Sequence, residues 1–177
     1  YHDAAVALER ARESKDPGKF KEAEDLFNMV LDNLLSKAGY GQYNHNNFYY
    51  EGNKYIHVNS NPNVVIEIAE LGNKLGAASV KITEGDRTEA EHIGLYKDKP
   101  PTEQVDYKNC QHSVYQGYKA ADVIFFDSSG NMIDKNIVGD TAKQMTGIGG
   151  VGVYTKLNAV HVDIRPTKAD WNWKGAK

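Results

Sequence analysis

The stretch Ala159-Val160-His161-Val162-Asp163-Ile164-Arg165, closed by Pro166, decides how the chain is read. Val160, Val162 and Ile164 alternate with His161, Asp163 and Arg165, a period of two that puts aliphatic side chains on one face of a strand and polar ones on the other. Proline cannot donate to a strand ladder, so Pro166 stops it. Such a strand needs neighbours, and three upstream segments qualify: Ser79-Val80-Lys81-Ile82-Thr83, Ala120 to Asp127, and a piece near Val151 to Tyr154. The second of these turns at Ser128-Ser129-Gly130 into Asn131-Met132-Ile133.

The remaining chain supplies helices. From Ala4 to Ser36, apolar residues such as Leu8, Phe20, Phe27, Leu31 and Leu35 recur at three- and four-residue steps, and Asp16-Pro17-Gly18 divides the run in two. The second half has the flavour of a helical repeat, but nothing similar returns at a period of about 34 residues, which argues against a solenoid. Pro62 opens a helix that runs through Val65, Ile68, Ala69 and Leu71 and stops at Gly76. A short acidic helical piece covers Thr88 to His92, and another helix covers Lys135 to Met145. Gly39 to Asn53, rich in Gly, Asn and Tyr, reads as loop, and Tyr55 to Asn59 alternates like a short strand. Strands and helices mix without steady alternation, so the expected fold is α+β, a small antiparallel sheet with flanking helices. One domain is expected: an N-terminal helical hairpin at 1–38, a core at 54–166 and a C-terminal tail at 167–177.

A chain of 177 residues with a 40% apolar share can bury a core. Its net charge of -3 offers no basic field for phosphate backbones, so nucleic acid is not an expected partner. The longest apolar runs, such as Val123-Ile124-Phe125-Phe126, are strand-sized, and no membrane span is expected. One cysteine, Cys110, rules out an internal disulfide. The chain opens at Tyr1 with neither an initiator Met nor an apolar signal stretch, which reads as a mature or trimmed chain.

Gly147-Ile148-Gly149-Gly150-Val151-Gly152 formally satisfies GxGxxG, but a dinucleotide fingerprint needs a strand before it and a helix after it. Here the order is reversed, so the glycines read as a tight entry to a strand with close backbone approach. His2, His45 and His57 read as structural or solvated, and His92 as a surface residue or a pocket wall. His112 and His161 each travel with an acid. Asp122 opens an apolar strand, where a buried charge needs a partner, and His161 shares a strand face with Asp163. Two imidazoles and a carboxylate make a reasonable zinc set. By spacing alone, however, His-x-Asp on a strand reads first as a surface ion pair.

At these residues the sequence resembles the M15 family of zinc peptidases, the D-Ala-D-Ala carboxypeptidases and murein endopeptidases that share a fold with the hedgehog signalling domain. Ile82-Thr83-Glu84-Gly85-Asp86-Arg87-Thr88 is similar to the family's Thr-Ser-Gly-Tyr-Arg block. Cys110-Gln111-His112, then Gly117 and Ala120-Ala121-Asp122, resembles its Ser-x-His, Gly, Ala-x-Asp block. Gly149 to Tyr154, leading to Val160-His161-Val162-Asp163, resembles its closing block. The three blocks span roughly Asn63 to Pro166. The resemblance implies a hedgehog/DD-peptidase-like fold, Zn2+ held by His112, Asp122 and His161, and Arg87 facing the cleft to hold a substrate carboxylate or an oxyanion. It also implies a peptidoglycan peptide as substrate and a secreted, periplasmic or cell-envelope location, and a monomer is expected.

Departures bear on mechanism. His112 and Asp122 have nine residues between them, more than the family's block, so Ser113 to Tyr118 must bulge. Cys110 replaces the usual Ser and could itself offer a thiolate. Many relatives carry an acid or His three residues before the last ligand as general base, where this chain has Asn158. Asp163 is therefore the first candidate for the base, although it could instead orient a ligand or pair with Arg165, and Glu84 is the second. Tyr154, Trp171 and Trp173 could wall the groove, while packing of the tail on the core is the simpler role for both tryptophans. Two other readings stand beside hydrolysis: a metal-binding domain without catalysis, and an adhesive module that uses the Tyr-rich loop Gly39 to Tyr55.

Overall fold

Asp16 caps the second N-terminal helix, its side chain accepting from the backbone N–H groups of Gly18 and Lys19, with Pro17 at the first helical position. In this computed structural model, which describes residues 1–50 and 58–173, the sequence break at Asp16 separates α1 (His2–Glu13) from α2 (Pro17–Lys37). Ala4, Ala5 and Leu8 of α1 and Phe27, Leu31 and Leu35 of α2 are buried in the same apolar cluster as the sheet. The hairpin therefore shares one core with the rest of the chain.

Asn61 caps α3 (Pro62–Leu75), which ends at Gly76 in the left-handed conformation, as a helix C-terminus favours. The remaining elements in chain order are β1 (Phe48–Tyr50) ahead of α3, then β2 (Ser79–Glu84), α4 (Glu89–Tyr96), β3 (Ala120–Phe126), α5 (Lys135–Gln144), β4 (Gly150–Tyr154), β5 (Val160–Asp163) and β6 (Ala169–Trp173). Thr88 and Glu91 close a capping box on α4. Between α4 and β3 the chain makes an excursion with three single 3-10 turns.

The six strands form one sheet in the order β1-β2-β3-β5-β4-β6. The four central strands pair antiparallel, but β1 joins β2 and β6 joins β4 in parallel. The purely antiparallel sheet expected from sequence is thus corrected to a mixed one. Both parallel strands lie at the edges, and both fall where no strand was expected: β1 inside the Asn- and Tyr-rich loop, β6 inside the C-terminal tail. Most of the expected strand Tyr55 to Asn59, with His57, lies outside the described residues, as does the side chain of Trp173.

One face of the sheet carries Val80, Ile82, Val123, Phe125, Val151 and Val160, under α3 and α5. The other face carries the polar residues of β3 and β5. A row perpendicular to the strands sets their positions: Glu84 opposite Asp122, Asp122 opposite His161, His161 opposite Gly152, and Gly152 opposite Trp171. Strict alternation from Val80 and Ile82 would turn Glu84 into the core. A bulge between Ile82 and Glu84 shifts the register and brings Glu84 level with Asp122 on the polar face.

Candidate metal centre

Each member of the triad arrives differently. Asp122 and His161 are cross-strand neighbours in the middle of the sheet. His112 comes from the excursion before β3, where Val114–Gln116 forms a 3-10 turn and Gly117 and Tyr118 both take left-handed backbone with φ 72° and 52°. That turn takes up the long spacing between His112 and Asp122. Asn59 fastens it from below, donating to the carbonyls of Tyr118 and Ala120, and Asn61 donates to that of Gly117.

All three side chains are buried, and one donor atom of each lies within 4.8 Å of the others. His161 Nδ1 is 3.0 Å from Asp122 Oδ1 and 3.2 Å from His112 Nε2, and His112 Nε2 is 3.6 Å from Asp122 Oδ1. The second nitrogen fixes the tautomer of His112. His112 Nδ1 is 2.7 Å from the Gly85 carbonyl, which can only accept, so this nitrogen carries the proton. His161 Nε2 is 3.0 Å from Asp163 Oδ2 and donates to that carboxylate. His161 Nδ1 faces Asp122 Oδ1 at the same 3.0 Å, so without a cation a proton sits on that nitrogen too, while the lone pair of His112 Nε2 points into the same space.

Such a cluster needs a positive charge at its centre. An added proton meets that need in part: burial opposes charging of His161, but the Asp122 and Asp163 carboxylates outweigh it and push the imidazole up to about 9. Burial likewise works against ionisation of Asp122, and the two histidines hold it well below the usual carboxylate range. A cation meets the need in full. Zinc bonds of about 2.0 Å at tetrahedral angles put ligand atoms about 3.3 Å apart, and the three observed separations bracket that value. The donors fit zinc.

A cleft of about 330 Å³ opens beside the triad. Arg87, Tyr154, Arg165 and Trp171 line it together with His112 and His161, and Tyr96 at the end of α4 with Lys99 and Val105 of the excursion complete it. Arg87 is buried and donates through Nε (2.5 Å) and Nη2 to Glu84 Oε1. Burial disfavours the guanidinium, yet Glu84 holds it protonated above its ordinary range. Tyr107 accounts for the loop that carries Arg87, its hydroxyl donating to the Arg87 carbonyl at 2.6 Å.

The structure places the remaining sequence candidates as follows. Asp163 lies on the far side of His161 from the triad, its carboxylate taken up by His161 and by Arg165 Nε (2.7 Å) and Nη2 (2.5 Å). Burial opposes its charge, but these two partners hold it far below the normal range. Glu84 is bound to Arg87. Cys110 faces Arg87, with Sγ 3.6 Å from Nη1, and burial pushes its thiol up. It stands outside the group of donors that converge. His92 is buried, stacked on Tyr96 and bonded to the Val105 carbonyl at 2.5 Å. His2 and His45 pair with the Ser60 carbonyl and Asp32.

Tyr154 and Trp171 have closer roles than sequence spacing suggested. The Tyr154 hydroxyl donates to Asp122 Oδ2 at 2.6 Å, and the Trp171 ring lies 5.4 Å from the His161 ring with the Arg165 guanidinium 5.2 Å away over it. Parity along β4 carries the signal for Tyr154, because Gly150, Gly152 and Tyr154 share a face with His161 once the register is known. Asn158 turns away from the cleft: its Oδ1 accepts from Lys135 N and its Nδ2 donates to the Ile133 carbonyl. No family model, curated protein or solved structure matches the chain.

Proposed function

We propose that the protein is a zinc peptidase of the M15 kind, acting on peptide bonds of bacterial peptidoglycan. The observation that carries this reading is the convergence of two imidazole nitrogens and one carboxylate oxygen beside a cleft. The choice of peptidoglycan rests on the sequence resemblance, as does the envelope location, and a monomeric state is proposed beside them. When bound, zinc supplies a Lewis acid that polarises a carbonyl and acidifies a water.

The chain's own residues supply the rest. Gly85 and Asp163 keep the two imidazoles in the tautomers that present lone pairs. Glu84 holds the Arg87 guanidinium rigid at the cleft, where it can bind a substrate carboxylate or a developing oxyanion. Tyr96, Val105 and Trp171 give apolar walls that exclude water from the bond to be cut.

A specific observation favours a second reading, a metal-binding domain without hydrolysis. Asn158 is a structural clip, Glu84 is held by Arg87, and Asp163 is held by His161 and Arg165. These are the positions from which a base would act. Assay of the purified chain on murein peptides decides between the two: cleavage that stops with chelator and returns with zinc supports the peptidase. Stoichiometric metal without cleavage supports the binding domain. Absence of bound metal removes both.

A further inference from the structure

The two oxygens of Asp122 are given different tasks. Oδ1 faces both imidazoles, at 3.0 Å from His161 Nδ1 and 3.6 Å from His112 Nε2. Oδ2 accepts the Tyr154 hydroxyl at 2.6 Å, within the short range of about 2.5–2.7 Å that marks a hydroxyl bonded to an ionised carboxylate. Tyr154 stands on β4, two strands from Asp122. Its neighbour across the sheet is Ala159, just ahead of β5, which accepts from Tyr154 N at 3.3 Å and whose small side chain leaves room for the ring. Gly152, on the same face of β4, keeps the next position clear as well.

We infer that Tyr154 is a positioning residue that holds Asp122 as a one-oxygen ligand and so sets the coordination number and metal preference of the centre. The inference rests on the metal reading proposed above. A carboxylate free to turn can bind through both oxygens, the mode that suits large, oxygen-seeking cations such as calcium. With Oδ2 engaged by a phenol, the site offers two nitrogens and one oxygen, a set suited to zinc or cobalt(II). The hydroxyl thereby acts as a selectivity element without touching the ion.

The test compares wild type with Tyr154→Phe, loaded with cobalt(II) and read by visible absorption, with zinc affinity measured by competition. Wild type is expected to give the intense bands of four-coordinate cobalt. In Tyr154→Phe the bands weaken as a second carboxylate oxygen enters, zinc affinity falls about 10-fold, the lower end of what loss of a ligand's hydrogen-bond partner costs, and calcium competes better relative to zinc. Superimposable cobalt spectra with unchanged zinc affinity would overturn the inference and leave the metal centre standing. No cobalt or zinc uptake by wild type would overturn the metal reading and the inference together. X-ray absorption on zinc-loaded wild type keeps the matter open to test should the variant not fold. A one-oxygen carboxylate supports the inference, and a two-oxygen carboxylate sinks it.

Discussion

On one face of β3 and β5, Val123, Phe125 and Val160 are at most 1% exposed, and on the other Asp163, Asp122 and His161 are 1%, 4% and 6% exposed. Burial does not tell the two faces apart; what differs is how the buried groups are satisfied. The apolar face is held by area and close packing under α3 and α5, so neighbours share any loss. The polar face is held by a few named partners, so the loss of one leaves a charge or a lone pair poorly satisfied. Stability should therefore follow the first face and metal binding the second.

His161→Ala is expected to break that separation most visibly, abolishing stoichiometric zinc uptake while the helical circular dichroism signal persists; retained metal would remove His161 from the centre. Phe125→Ala, on the apolar face and against Gly72 of α3, should cost about 3–5 kcal/mol in denaturant unfolding with zinc affinity of the folded fraction intact. A joint loss of affinity there would show that the faces are coupled. Asp163→Asn keeps the shape of the side chain but weakens its hold on His161, and zinc affinity is expected to drop about 10- to 100-fold, measured by chelator competition.

Smaller effects sharpen the contrast. A Cβ at Gly152 would stand 2.6 Å from Trp171 Nε1, so Gly152→Ala should push the indole off His161 and cost about 1–3 kcal/mol, with altered tryptophan fluorescence as the readout. The pH response has a definite sign in the metal-free protein. The folded value of His161 lies above the ordinary 6.5, so its contribution to stability is complete below 6.5 and is lost as pH rises through about 9. Metal-free protein should thus melt lower at pH 9 than at pH 6. A melting temperature that rises over this window would contradict the hydrogen-bond scheme around His161.

Legibility in the sequence followed the same divide. Elements that announce themselves by period or cap were readable: the two N-terminal helices around Asp16-Pro17, the helix from Pro62 to Gly76, and the strands around Ile82, Val123 and Val162. The edge strands were not. Phe48–Tyr50 is too short to show alternation, and Ala169–Trp173 mixes apolar and polar residues without a clear period, because each strand depends on a partner distant in the chain. The bulge at Thr83 has no local signature, and the excess spacing that called for a bulge over Ser113 to Tyr118 did not reveal the left-handed backbone of Tyr118, yet these features bring Glu84 and His112 to the polar face. Individual histidines were readable as candidates through resemblance. Asp163 as a partner of His161 and Arg165 was one of the roles the shared strand face offered, whereas Gly85 as the partner of His112 emerges only in the fold.

Gly150 and Gly152 make the β4 strip bare: an added methyl at the first would collide with the Asp163 carboxylate and at the second with the Trp171 indole. The sheet side of the cleft, lined by Tyr154 and Trp171, is thus closed to new side chains at both glycine positions. The opposing half comes from the excursion between α4 and β3, whose Lys99 and Val105 sit on irregular turns that tolerate exchange. The same excursion delivers His112, so Lys99 and Val105 are free to vary only while the turn at Val114–Gln116 keeps that imidazole beside Asp122 and His161.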